Sequence, residues 1–165
     1  MWQRAQLKMD KAALKQELIG VIATDLETLE RAHRATMEGA THEQAKPEND
    51  KDTRALEQSY LARGQARRTE ELRDSLAAVK RMEVEAHARS QTVGVGALVT
   101  AEENDRIVRF FIAPHGGGAR LGSGSIQVVT PRSPLGEALI GRRVGDACEV
   151  FTGGNRRELQ LVAVE

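Results

Sequence analysis

The chain has 165 residues, enough for one ordinary domain or two small ones. It carries 24 basic and 24 acidic residues, so nucleic-acid binding driven by bulk positive charge is not expected. Charged residues make up 29% and aromatic residues 3%, a composition typical of long solvated helices rather than of a large aromatic core. Without an 18-residue apolar run or a signal-peptide core, the sequence predicts a soluble cytoplasmic protein with no membrane contact.

Glycine divides the chain into two regions. Only Gly20, Gly39 and Gly64 lie in the first 90 residues, and the rest of the 15 glycines lie beyond them. The first region shows helical periodicity and the second shows the two-residue period of strands. We therefore expect an α+β protein, with a helical hairpin over 1–85 and a small β domain over 86–165.

In the first region, apolar residues recur every three or four positions on two stretches, as on amphipathic helices. One stripe is Leu14, Leu18, Val21, Ile22, Leu26, Leu29 and Ala32, and the other is Leu56, Tyr60, Leu61, Leu72, Leu76, Val79 and Met82. Two helices of about 25–30 residues cannot bury such stripes alone. The pattern predicts an antiparallel coiled-coil hairpin.

The segment "EQAKPENDKD", residues 43–52, separates the two stripes and has no strongly apolar side chain. Its acids are Glu43, Glu48, Asp50 and Asp52. The Lys46–Pro47 step breaks helical geometry, and Asp50 or Asp52 can cap the second helix. The segment is therefore predicted to form an acidic tip at the free end of a rod. Capping in a solvated loop accounts for one of these acids but not for three acids within five residues.

The second region predicts five short strands, "VGVGALVT", "RIVRFFIAP", "SIQVVTP", "ACEVFTGG" and "RELQLVAVE". One short helix interrupts them, with Ser133 as its N-cap, Pro134 in its first turn and Gly141 at its end. The glycine-rich stretch 115–124 favours a turn or mobile loop over a phosphate-binding loop. Cys148 is expected to be a small buried apolar residue. A small antiparallel sheet packed on one helix is the expected fold.

Residues 133–165 resemble the C-terminal domain of bacterial Gre-type (GreA/GreB) transcript cleavage factors. The shared pattern is a Ser-Pro helix start, an Ala-Leu-Ile-Gly-Arg run, Val-Gly-Asp, a strand, a Gly-Gly turn and a last strand. The resemblance implies an FKBP-like domain that docks on RNA polymerase, and a coiled coil that enters the polymerase secondary channel. The chain would act there as a monomer on the 3′ end of backtracked RNA.

In the resembled family, tip carboxylates help to hold a second Mg²⁺ of the polymerase active site and to activate water. Glu48 matches the family tip in place, whereas Asp50 and Asp52 stand where the family generally has no acid. Our hypothesis gives the catalytic role to Glu48, Asp50 and Asp52, with Glu48 and Asp50 as the metal ligands. Ala45 stands where the family has its first catalytic Asp, so the tip is an altered one. The Mg²⁺ would be shared with the polymerase and would not bind stably to the chain alone.

The helix start at Ser133, Pro134 and Leu135 is our candidate for docking on the polymerase, because an exposed Pro-Leu pair there can supply an apolar contact. Simple helix capping explains this helix start about equally well. The chain would modulate hydrolysis by the polymerase rather than act as an enzyme alone. An inhibitor that occupies the channel without cleavage is the alternative within this family. Outside it, the rivals are a prolyl isomerase and a coiled-coil chaperone, which would need an aromatic pocket or an apolar tip.

A basic run of Arg63, Arg67, Arg68 and Arg73 lies along the second helix, interleaved with acids at ion-pair spacing. A solvated face is the favoured interpretation of this run. Contact with RNA or with an acidic channel wall is the alternative.

Overall fold

The computed structural model describes residues 10–43, 51–84 and 92–165, and it describes their side chains except at 39–43 and 51–55. Helix α1 spans Lys11–Glu43 and helix α2 spans Lys51–Arg81, with 33 and 31 residues. The prediction of two long helices is confirmed, and both are slightly longer than expected. Over the described residues, no helix combines the length and the apolar character that crossing a membrane requires.

The chain divides into two compact units. One is residues 20–77, and the other combines the described residues of 1–19 with those of 78–165. Within the first unit the helices run antiparallel, since Glu30 of α1 pairs with Arg73 of α2 while His33 lies beside Gln65. Residues with higher numbers on α1 therefore lie beside residues with lower numbers on α2.

Only part of each predicted stripe is buried. The buried members are Leu14, Leu18, Ile22, Val79 and Met82. Leu26, Leu29, Leu72 and Leu76 are half-buried. The members that face solvent are Val21, Ala32, Leu56, Tyr60 and Leu61. The spacing therefore predicts the helices correctly but overstates the length of the apolar contact.

The second unit contains one six-stranded sheet. Its strands are β1 Leu98–Glu103, β2 Arg106–Ile112, β3 Arg120–Leu121, β4 Ile126–Val129, β5 Ala147–Thr152 and β6 Asn155–Val164. They lie in the order β3-β4-β2-β1-β6-β5, and helix α3, Pro134–Leu139, follows β4 in the chain. This is the predicted α+β class.

Two details of the sheet differ from the prediction. Strands β2 and β4 pair in parallel, with Phe111 opposite Val128, so the sheet is mixed rather than fully antiparallel. The glycine-rich stretch expected to be a loop contains β3, a two-residue strand antiparallel to β4. This short strand reverses the chain, and β4 can then run in the same direction as β2.

The main core lies on one face of the sheet. Its buried members are Val93, Ala97, Val99, Ala101, Phe110, Ile112, Val129, Leu135, Leu139, Cys148, Val150, Leu159 and Leu161. The prediction of a buried Cys148 is confirmed, and burial raises the pKa of its thiol. Phe110 belongs to this core, while its neighbour Phe111 points to the opposite face and is also fully buried.

The first turns of α1 contact the turn between β3 and β4. The backbone N–H of Gly122 donates to both carboxylate oxygens of Glu17, at 3.0 and 3.2 Å. Lys15 Nζ donates to the backbone oxygen of Met82 at 2.7 Å, which joins the start of α1 to the end of α2. These contacts tie the base of the hairpin to the β domain within the second unit.

Candidate functional site

The start of α3 is built by a short capping network. Ser133 has extended backbone geometry, with φ −77° and ψ 153°, and its Oγ accepts a hydrogen bond from the N–H of Gly136 at 3.1 Å. The same hydroxyl donates to the backbone oxygen of Thr130 at 2.7 Å. Pro134 takes the first turn, and Gly141 follows the helix at φ 80°, a left-handed geometry that glycine tolerates best. The predicted cap and stop are confirmed.

The three residues proposed for docking differ in exposure. Pro134 faces solvent and Ser133 is half-buried, whereas Leu135 is only 5% exposed and belongs to the core. The expectation of an exposed Pro-Leu pair is therefore wrong for Leu135. Its position in the first turn turns the side chain toward the sheet, together with Leu139 one helical turn later.

A surface cavity of about 430 Å³ adjoins this corner. Ser133, Pro134 and Leu135 line one side of it, and Thr152 and Arg157 line another. No aromatic side chain lines the cavity, since Phe110 and Phe111 are buried and Phe151 is exposed on β5. An aromatic pocket of the kind that a prolyl isomerase uses is thus not formed here by the described residues. Sequence reasoning missed this cavity.

Arg157, at the edge of the cavity, is held by Glu103. Its Nε and Nη2 atoms donate to the two carboxylate oxygens of Glu103 at 2.6 and 2.8 Å. These hydrogen bonds lower the pKa of Glu103 below its ordinary value, although partial burial acts in the opposite direction. The same contact raises the pKa of Arg157. The pair joins β1 to β6 and fixes one wall of the cavity.

Neutralising this pair by Glu103→Gln is expected to lower the free energy of unfolding by about 1–2 kcal/mol at pH 7, since the half-buried guanidinium loses its charged partner. Because the pKa of Glu103 is lowered in the folded state, its contribution to the free energy of unfolding is fully present above the ordinary glutamate pKa of about 4.3. It is lost as the pH falls through the folded-state pKa. Urea unfolding at pH 7 and pH 3 measures both effects. An equal deficit at the two pH values would contradict the ion-pair account.

The structure leaves the predicted acidic tip largely undescribed. Glu48 and Asp50 lie outside the described residues, and Asp52 lies within the first turn of α2 with its side chain outside the description. Their catalytic and metal-binding roles therefore remain predictions. Elsewhere, over the described side chains, no group of three His, Cys, Asp or Glu residues is placed to hold a metal ion.

The basic run on α2 is confirmed to form ion pairs. Arg67 donates to Glu71 at 3.0 Å one turn along the helix, and Arg73 reaches Glu30 on α1. The Arg67 pair lies almost entirely in solvent, so it contributes little to stability. The four-residue spacing along α2 predicts the Arg67–Glu71 pair. The Arg73–Glu30 pair cannot be predicted from spacing, because it forms only when α1 lies beside α2.

Comparison with known proteins identifies the β domain. Residues 88–165 match the family model described as the C-terminal domain of the transcription elongation factors GreA/GreB. No curated protein sequence matches the chain.

Several solved structures are distantly similar. The GreA factor homolog 1 (Gfh1) of Thermus thermophilus is 17% identical, with a TM-score of 0.39 and coverage of 94% of both chains. Gfh1 of Thermus aquaticus is 22% identical, with a TM-score of 0.40 and coverage of 88% of this chain and 92% of that one. The GreA/GreB factor of Nitrosomonas europaea is 20% identical, with a TM-score of 0.38, and covers 56% of this chain and 78% of its own. The family match therefore carries the assignment: residues 88–165 match the C-terminal domain of the transcription elongation factors GreA/GreB, which is consistent with a Gre-type factor.

Proposed function

We propose that the chain binds RNA polymerase and inserts its helical hairpin into the secondary channel, where the tip carboxylates modulate cleavage of backtracked RNA. The supporting observation is a GreA/GreB C-terminal domain preceded by two antiparallel helices of 33 and 31 residues, with an acidic segment between them. A helix of this length spans about 45–50 Å. That reach suits a protein that acts at a buried active centre from a docking site outside it.

In this proposal the β domain docks on the polymerase through the corner at Ser133 and Pro134. Pro134 is exposed beside a cavity of about 430 Å³, so an apolar side chain of the partner can pack against it. In this proposal the polymerase supplies the rest of the catalytic site. It acts as a factor for the polymerase rather than as an enzyme, and its partners are the polymerase and the 3′ end of backtracked RNA.

The tip residues fit a shared magnesium ion in their donor chemistry. The carboxylates of Glu48 and Asp50 are hard oxygen ligands of the kind that Mg²⁺ prefers. When bound, the metal would lower the pKa of a coordinated water. Because Mg²⁺ takes six ligands, two carboxylates leave most positions to water and to the polymerase. Stable binding by the chain alone is therefore not part of the proposal.

A second function is favoured by one residue. Ala45 stands where the resembled family has its first catalytic Asp, so the tip lacks one of the expected carboxylates. A chain of this kind could occupy the channel and inhibit the polymerase without promoting cleavage. Asp50 and Asp52 are the residues that would have to replace the missing acid in the cleavage mechanism.

The experiment that separates these functions adds the purified chain to a stalled, backtracked elongation complex. Shortening of the RNA from its 3′ end supports cleavage, and slowed nucleotide addition without shortening supports channel occupancy. A chain that changes neither reaction at saturating concentration contradicts the proposed function altogether.

The docking corner is tested by Pro134→Glu. A charge at this exposed apolar position should weaken polymerase binding at least about 10-fold, since it replaces an apolar contact at the centre of the proposed interface. The matched control is Ile107→Glu, which adds the same charge to an exposed apolar residue of β2 that does not line the cavity. Equal affinities for both variants and the unaltered chain, measured by biolayer interferometry, would exclude this corner as the docking site.

A further inference from the structure

The cavity beside α3 presents positive charge to a group that enters it. All of its lining residues lie within the β domain, between positions 117 and 157. Arg157 is the charged residue among the described residues that line it, and Glu103, which pairs with Arg157, does not line it. An entering group therefore contacts the positive member of this ion pair and not the negative one.

Glu103 uses only one edge of the Arg157 guanidinium. Its carboxylate oxygens accept from Nε and Nη2, and over the described residues the side-chain hydrogen bonds of Arg157 go to Glu103 alone. A guanidinium carries five N–H donors in a rigid plane, so two donors on Nη1 and one on Nη2 can still bind a second acceptor. The Arg157 side chain is 26% exposed, so salt screens its charge less than that of a surface arginine.

The other lining residues suit the short stem and the two oxygens of an acidic side chain. Thr130 and Thr152 are half-buried, and their hydroxyls can donate to a carboxylate oxygen. Pro134 and Leu135 supply an apolar wall for methylene groups. The volume of about 430 Å³ is large enough to admit such a side chain. Glutamate or aspartate therefore fits this lining better than a basic side chain does.

We propose that the cavity binds an acidic side chain of the polymerase, whose carboxylate accepts hydrogen bonds from Nη1 and Nη2 of Arg157. The inference rests on the proposed docking at Ser133 and Pro134, and it adds the chemistry of the partner: a carboxylate beside the apolar side chain that packs on Pro134. Such charge-assisted pairs are strong because the planar guanidinium matches both carboxylate oxygens. Arg157 is then a binding residue, and Glu103 is a positioning residue that fixes the orientation of the guanidinium.

The charge of the cavity is tested by a variant with Glu103→Gln and Arg157→Gln. This variant loses one acid and one base, so its net charge is unchanged and neither charge is left without its partner. Its affinity for core RNA polymerase, measured by biolayer interferometry, should fall at least about 10-fold.

The matched control is a variant with Glu149→Gln and Arg156→Gln, which removes another ion pair between β5 and β6. Arg157 lies opposite the core residue Val150, so the adjacent Arg156 lies on the other face of the sheet, away from the cavity. The control should bind the polymerase as tightly as the unaltered chain.

Thr152 provides a second test that leaves the Glu103–Arg157 pair intact. Thr152 and Arg157 are diagonal neighbours on one face of the β5–β6 hairpin, since Thr152 lies opposite Asn155 and Val150 lies opposite Arg157. In Thr152→Glu, the new carboxylate can reach the guanidinium and compete with that of the partner. Its affinity for the polymerase should be about 10-fold lower than that of Thr152→Gln, which has nearly the same size and no charge.

The outcomes separate this inference from the proposed function. If the unaltered chain binds the polymerase, full affinity of the Glu103→Gln, Arg157→Gln variant would overturn the inference and leave the proposed docking intact. Equal affinities of the two Thr152 variants would overturn it in the same way, and this comparison decides if the double variant fails to fold by circular dichroism. An unaltered chain that does not bind the polymerase would overturn both proposals.

Discussion

A variant with Glu48→Gln, Asp50→Asn and Asp52→Asn is expected to lose the stimulation of RNA cleavage by the chain in a backtracked elongation complex. The three carboxylates are the only groups in the proposal that bring negative charge to the polymerase active centre, and amides are poor ligands for Mg²⁺ compared with carboxylates. If the chain stimulates cleavage, the rate should fall to that of the polymerase alone. Gel analysis of 3′ RNA shortening over time measures it.

The matched control neutralises three acids elsewhere on the hairpin, by Glu27→Gln, Glu57→Gln and Asp74→Asn. These residues are exposed on α1 and α2, so the control changes the net charge equally without altering the tip. It should keep the full effect. Wild-type cleavage by the tip variant, with binding to the polymerase retained, would contradict a catalytic role for the three acids.

The tip variant also distinguishes the two mechanisms. A chain that only occupies the channel should still slow nucleotide addition after the acids are neutralised, because occlusion depends on the bulk of the rod. A chain that works through the carboxylates should lose its action entirely. This comparison is informative because Ala45 stands where the resembled family has its first catalytic Asp.

Gly136→Ala is expected to destabilise the β domain by about 3 kcal/mol or more. A Cβ at this position would lie 1.9 Å from the backbone oxygen of Thr130 and 2.8 Å from its carbonyl carbon. Real Cβ atoms do not approach backbone so closely, so α3 would have to move away from the end of β4. That shift would also disturb the hydrogen bond between Gly136 N–H and Ser133 Oγ.

The control for this prediction is Gly64→Ala, which makes the same change in the exposed part of α2. A Cβ there meets nothing within 4 Å, so the variant should gain about 0.5–1 kcal/mol from helix propensity. Urea unfolding followed by circular dichroism reports on the helices, and hydrogen exchange of the β1 and β2 amides reports on the β domain. A Gly136→Ala protein with unchanged protection in these strands would show that the close approach to Thr130 is not required.

The sequence predicts this fold well where the pattern is local. The three- and four-residue spacing indicates α1 and α2, and the Ser133–Pro134 pair and Gly141 mark both ends of α3. Spacing cannot decide which residues of a stripe are buried, because that depends on the facing helix. Leu56 and Tyr60 follow the helical period, yet both are exposed.

The features that sequence reasoning missed depend on contacts between distant residues. Glu103 and Arg157 are 54 positions apart and meet only because β1 pairs with β6. The parallel pairing of β2 with β4 likewise depends on the short strand β3. This strand lies within the glycine-rich stretch 115–124, where the sequence predicts a turn or loop. Leu135 was expected to be exposed with Pro134, but the direction in which α3 faces the sheet decides the exposure of each. Such outcomes follow from tertiary packing rather than from residue type.

Site-specific crosslinking from the tip tests the central claim most directly. A photoreactive residue in place of Gln44 keeps Glu48, Asp50 and Asp52 intact, and the same residue in place of exposed Arg31 serves as the control. In a backtracked elongation complex, the account predicts that position 44 crosslinks to the 3′-terminal RNA or to the catalytic region of the polymerase, and that position 31 does not. A bound chain whose position 44 crosslinks only to the outer surface of the polymerase would contradict insertion of the hairpin into the channel.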